Sequence, residues 1–143
     1  MSTCFDASAL VKLLLDEGDA ATVEALWTDT AEALVSVVGY AELRGSISRA
    51  LRGGRILPDA YPTVRLELEQ MWGSVVEIRL EGTLPHHAGA LADRHGLGAL
   101  DAIHLASALS IATPADQPTF VTFDRRLAEA AIAEGLVVLP EVA

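Results

Sequence analysis

The sequence predicts an α/β fold, a parallel sheet with helices on both faces. Short apolar runs rich in β-branched residues recur along the whole chain: "TCFD", "LVSVV", "SVVEIRL", "TFVTF" and "LVVLP". Between them lie stretches with apolar residues at three- and four-residue steps, the spacing of a helix with one buried face. Strands that alternate with helices in this way pair in parallel, because each crossover must pack back onto the sheet, and the crossover is right-handed.

In chain order, "TCFD" reads as a buried strand ending at Asp6, followed by the helix "ASALVKLLLDEG" with Leu10, Leu13 and Leu14 inward and a glycine stop. "DAATVEALWTDTAEA" is a second helix, capped by Asp19, with Val23, Leu26 and Trp27 on its inner face. A strand from Leu34 leads into the helix "GYAELRGSISRALRGG", which buries Tyr40, Leu43, Ile47 and Leu51 and ends at Gly53-Gly54. After Pro58, "DAYPTVRLELEQMW" suits a helix with an early proline, and "SVVEIRL" alternates like a strand with one wet face. "TLPHHAGALADRHG" and "LGALDAIHLASAL", the latter running to about Ile111, are the next helices. The turn-rich "ATPADQP", the strand "TFVTF", the helix "RRLAEAAIAEG" and the strand "LVVLP" complete the chain.

A length of 143 residues suits one domain with a core that needs no staples. With 51% hydrophobic and 21% charged residues the chain is ordered rather than disordered. A single cysteine, Cys4, excludes an internal disulfide and the usual zinc frameworks. The start "MSTCFDASAL" lacks the features of a signal peptide, and polar residues break every apolar run before it could cross a bilayer, so a cytoplasmic location away from membranes is expected.

Twenty acids against ten bases give a net charge of −10, which by itself argues against nucleic acid. The positive charge is nevertheless local: Arg44, Arg49, Arg52, Arg55 and Arg65 form a cluster that allows a basic ridge on an acidic body, or simply a solvated face.

Acids fall where a parallel sheet gathers ligands, at the carboxyl ends of its strands. Asp6 ends the first strand, Glu42 lies just beyond the second, and Asp124 follows "TFVTF". Asp101 sits inside an otherwise aliphatic helix, with His104 one turn on. Each alone has a bland reading: Asp6, Asp101 and Asp124 as helix caps, Glu42 as a solvated helix residue, and His104 as a core histidine bonded to backbone or to a neighbouring acid. Together, four carboxylates at one edge repel one another and call for a compensating cation. Mg²⁺ or Mn²⁺, hard ions that prefer oxygen and keep several waters, would suit them and leave room for a phosphate. Such a site can hydrolyse phosphodiesters with an activated water. Ser8 and Thr122 are placed to hydrogen-bond these carboxylates, and Arg44, close to Glu42, to face phosphate. Asp116 reads as a turn residue, and His86 and His87, adjacent on a helix, diverge too far to be a metal pair.

As a set, "FDASALVKLLL", "YAELRGSISRA", "LGALDAIHLASAL" and "TFVTFDRRLAEAA" resemble the PIN-domain ribonucleases, most closely the VapC-type toxins of bacterial toxin-antitoxin pairs. The resemblance covers nearly the whole chain, and Asp6, Glu42, Asp101 and Asp124 match the family's acidic quartet. It implies a three-layer α/β/α fold with a parallel sheet of about five strands and Mg²⁺- or Mn²⁺-dependent RNA cleavage with one or two ions. It also implies a homodimer and inhibition by a small cognate antitoxin that also binds DNA. A haloacid-dehalogenase-type fold would want a second acid where "DAS" has serine, and a receiver domain a lysine near the last strand, where there is none. A non-catalytic interaction or dimerisation module is the remaining alternative.

Overall fold

The computed structural model describes residues 2–141. In chain order its elements are β1 (Ser2–Phe5), α1 (Ala7–Leu15), α2 (Ala20–Asp29), β2 (Glu32–Ser36), α3 (Val38–Arg52) and α4 (Tyr61–Trp72). They continue with β3 (Val76–Ile78), α5 (Leu84–His95), α6 (Ala99–Ile111), β4 (Thr119–Val121), α7 (Arg125–Ala133) and β5 (Val137–Leu139). The strands form one sheet in the order β3-β2-β1-β4-β5, and every neighbouring pair is parallel.

Successive strand residues point to opposite faces, so each buried strand supplies two cores. Cys4, Leu34 and Phe120 join the core under α5, α6 and α7, where Leu91, Leu105 and Leu127 pack. Phe5, Val35 and Val121 join the other, under α1 to α4, with Leu10, Val23, Ile47 and Leu68. This is the three-layer arrangement expected. It also explains why the strand sequences read as nearly continuous apolar runs, since both faces are covered.

β3, β4 and β5 are shorter than their apolar runs, and β2 is shifted relative to its own. β2 begins at Glu32, two residues before Leu34, and stops at Ser36, because Val37 and Val38 turn into α3. The Val37 amide donates to the Ile78 carbonyl at 2.9 Å as the chain leaves the sheet. Asp19 stands at the start of α2, but its side chain makes no capping bond and pairs with Lys12 at 3.7 Å instead.

Two features position the site. The chain moves outward from β1 through β2 and β3, then returns to the other side of β1 as β4. That reversal leaves a crevice beyond the carboxyl ends of β1 and β4. At Gly39, in the first turn of α3, an added Cβ would lie 2.9 Å from Val35 Cγ1. A bare backbone there lets α3 start close against β2, and so sets the depth of Glu42 three residues on. Among the described residues no helix is long and apolar enough to cross a membrane.

Candidate active site

Asp6 is the single residue between β1 and α1. Its Oδ1 accepts from the Ala9 amide at 3.0 Å and the Ser8 hydroxyl at 2.7 Å, and its Oδ2 from the Thr122 hydroxyl at 2.5 Å. Capping and site membership are therefore compatible. With only 2% of its surface exposed, the Asp6 carboxyl is pushed above the ordinary aspartate range by burial. The hydrogen bonds from Thr122 and Ser8, and the nearby His104, pull it back.

Ser8 and Thr122 do more than touch Asp6. The Thr122 hydroxyl also accepts from the Asp124 amide at 3.1 Å, and the Ser8 hydroxyl accepts from the Phe123 amide at 3.1 Å. The two hydroxyls stitch the β1–α1 junction to the β4–α7 junction across the crevice. Asp124 caps α7 by accepting from the Leu127 amide at 2.9 Å, which fixes one oxygen and leaves the other unbonded.

Asp101 is not the cap of its helix. Gly98, in an extended conformation (φ −67°, ψ 161°), occupies the N-cap position of α6, and Asp101 lies in the first turn with no capping bond. An extended residue after Gly96 already turns the chain into the helix, so the carboxylate is released from that task. Among the described residues it makes no hydrogen bond and no ion pair, although it is partly buried. Burial raises its pKa above the ordinary value; the charges of Asp124, Asp6 and Glu42 raise it further, while His104 opposes them. The four predicted acids thus share one electrostatic neighbourhood.

Glu42, one turn into α3, receives His104 from α6: Nε2 lies 2.5 Å from Oε1. His104 is 1% exposed, and its Nδ1 has no partner. This is the buried histidine bonded to a neighbouring acid that the sequence suggests. Asp116 closes a turn with Thr113, also as read.

Arg44 is placed differently from its neighbour in sequence. Two residues along a helix is more than half a turn, so Arg44 faces α4, donating to the Tyr40 hydroxyl at 2.8 Å with Glu69 4.0 Å away. The basic side chain on the same stripe as Glu42 is Arg49, seven residues on. A groove of about 610 Å³ runs beside the acids, walled by Ser8 and Val11 of α1, by Glu42, Ser46 and Arg49 of α3, and by Leu100 of α6. The seven-residue spacing is the sequence signal that would have found Arg49.

The donor set suits a hard divalent cation: carboxylates only, mutually repelling, one of them unbonded. Among the described residues no group of three or more His, Cys, Asp or Glu side chains is arranged so that together they could hold an ion. Mg²⁺ does not need such a cage, because it keeps waters and binds through one or two carboxylates plus substrate phosphate. The residues therefore fit the ion by chemistry.

A family model, the PIN domain, matches residues 3–133. Two curated relatives from Mycobacterium tuberculosis are each 37% identical over 136 residues, covering 95% of this chain and 93% of their own length. They are Ribonuclease VapC45 (strain CDC 1551 / Oshkosh) and Ribonuclease VapC49 (strain ATCC 25618 / H37Rv). Among solved structures, PAE2754 from Pyrobaculum aerophilum superposes with a TM-score of 0.72 at 19% identity, over 97% of this chain and 84% of that one. VapBC2 from Rickettsia felis, bound to a DNA fragment from its promoter, gives 0.65 at 16% identity, over 96% of this chain and 97% of that one. With a crevice of acids at the switch point of a five-stranded parallel sheet, and relatives that align from end to end, this chain belongs to the PIN-domain family and to its VapC branch.

Proposed function

We propose that this chain is a metal-dependent endoribonuclease, the toxin of a toxin-antitoxin pair, and that it hydrolyses RNA phosphodiester bonds at the crevice between β1 and β4. The observation that carries the reading is Asp101, a partly buried carboxylate without a hydrogen-bond or ion-pair partner, held by α6 among Asp6, Asp124 and Glu42. The alignment with ribonucleases over nearly the whole chain supports RNA as the substrate class.

Asp6, Glu42, Asp101 and Asp124 would hold one or two Mg²⁺ or Mn²⁺ ions. Such ions, when bound, polarise a phosphoryl oxygen and make water acidic enough to attack near neutral pH. The chain's own contribution is preorganisation. Asp6 is held by three hydrogen bonds and Asp124 by its cap, so neither has to reorient as substrate arrives. His104 fixes one oxygen of Glu42. Asp101 has both oxygens unbonded, so it is the carboxylate free to take an ion or to accept a hydrogen bond from the attacking water.

The same reading carries a cognate antitoxin, a homodimer and a cytoplasmic setting. An apolar recess of about 630 Å³ between α1 and the approach to α4, walled by Leu13, Ile56, Leu57 and Val64, supports a protein-covered face. Leu57 stands 69% exposed there. A net charge of −10 suits a basic partner segment. Analytical ultracentrifugation of the purified chain tests the homodimer directly.

Purified protein is incubated with total cellular RNA in Mg²⁺, in Mn²⁺ and in EDTA, beside Asp6→Asn and Asp101→Asn variants whose fold is checked by circular dichroism. Ion-dependent cleavage that disappears in both variants is the expected result. Folded wild-type protein that cuts nothing with either ion would leave the chain as a non-catalytic interaction module.

A further inference from the structure

We infer that the groove between α1 and α3 is a binding site for single-stranded RNA, in which Arg49 holds a phosphate next to the scissile one. The inference rests on the nuclease reading above and adds a place and a contact for the substrate strand.

Charge accounting and position together single out Arg49. In this acidic chain Lys12, Arg44, Arg55, Arg79, Arg94 and Arg125 all sit in ion pairs with acids. Their charge is already compensated within the fold. Arg49 and Arg52 bond only serine hydroxyls, Ser46 at 3.2 Å and Ser48 at 2.9 Å. The basic cluster legible in the sequence is thus split by the fold. Arg44 and Arg55 are neutralised by Glu69 and Glu17, while Arg49 and Arg52 on the last turns of α3, Arg65 on α4 and Arg126 on α7 are without an acid partner among the described residues; of these four only Arg49 lines the groove.

Position connects that charge to the acids. Val38, Glu42, Ser46 and Arg49 follow one another at four-, four- and three-residue steps and line one wall of the groove. Arg49 stands roughly 10 Å along the helix axis from Glu42, near the reacting phosphate without being at it. Gly45, between them on the same stripe, leaves the wall low: an added Cβ there would meet only the Arg49 guanidinium, at 3.4 Å.

The lining also indicates the kind of strand. Val11, Val38, Ala41 and Leu100 supply apolar contact for ribose or base, and no aromatic side chain lines the groove to stack one. Recognition here is led by the backbone and tolerant of sequence, as for single strands held mainly by phosphate contacts.

The test is steady-state cleavage of a labelled single-stranded RNA carrying a site mapped from total-RNA digestion, at several salt concentrations, with wild type, Arg49→Gln, Arg49→Lys and Arg44→Gln. Arg49 is exposed, so these variants fold. In Arg49→Gln, KM rises about tenfold with kcat nearly unchanged, as for one lost charge-assisted contact. The slope of log KM against log salt falls by about 0.7. Arg49→Lys recovers most of the salt slope. Wild-type cleavage with unchanged KM and slope in Arg49→Gln, or a larger shift in Arg44→Gln, overturns the inference while leaving the nuclease intact. Wild type that does not cleave overturns both.

Discussion

His104 and Glu42 meet at 2.5 Å although 62 residues separate them, and they belong to helices that cover opposite faces of the sheet. The pair closes over the carboxyl edge, where neither helix alone could fix the glutamate. With its other ring nitrogen unpartnered, His104 has one evident task, to hold Glu42 in place. His104→Gln is therefore expected to lower kcat by about 10- to 100-fold, the usual cost of losing a residue that orients a metal-binding carboxylate. Single-turnover cleavage at saturating Mn²⁺, with folding checked by circular dichroism, measures this, and an unchanged kcat would refute the role.

Asp101→Asn is expected to separate activity from stability. Cleavage falls below detection because the one unbonded carboxylate is gone. In EDTA the variant melts a few degrees higher than wild type, because a charge repelled by Asp124, Asp6 and Glu42 has been removed. Thermal melts of both proteins with and without Mn²⁺ decide it; a lower melting temperature in EDTA would mean that Asp101 is held by favourable contacts instead.

The pH dependence of the metal-free protein follows from the same repulsion. Asp6 and Asp101 both have folded-state pKa values raised above the unfolded ones. Their protonated forms favour the fold, so that contribution is fully present below the ordinary aspartate pKa and is lost as pH rises through the raised values. In EDTA, melting temperature should fall with rising pH over that window, and less steeply in Asp101→Asn. Divalent ions should restore most of the difference near neutrality.

Thr122→Val keeps the shape of the side chain and removes its hydroxyl. Asp6 Oδ2 then loses its buried donor and the Asp124 amide its acceptor, at an expected cost of about 2 kcal/mol. Urea denaturation measures that loss. Because the same hydroxyl links the two acid-bearing junctions, cleavage should fall as well, whereas stability loss with full activity would make Thr122 purely structural.

Far from the crevice, Glu134 accepts from His95 at 2.6 Å and Arg94 at 2.8 Å, joining the ends of α5 and α7. These partners lower its pKa, so its contribution is present above the unfolded glutamate pKa and is lost as pH falls through the lowered one. Glu134→Gln should lower the melting temperature at pH 7 and converge on wild type in strong acid, with cleavage unaffected.

The strand-acid-helix junctions at Asp6 and Asp124 are legible in the sequence because strand, cap and acid are all local signals. Asp101 is legible as a member of the acidic set, but its freedom from capping is not, since the cap of its helix depends on the backbone of Gly98 rather than on a side chain. The Glu42–His104 contact is invisible in sequence because two packed layers create it. Proximity along the chain draws Arg44 to Glu42, whereas helical phase turns it toward α4 and brings Arg49 to the wall beside Glu42.

The sheet order also sets when the site can exist. β4 must slide in beside β1 before Thr122 and Asp124 can meet Asp6, and β4 begins only at Thr119. A chain still emerging from the ribosome, or one translated from a message already cut upstream of that codon, carries Asp6 and Glu42 on a sheet that lacks its fourth member.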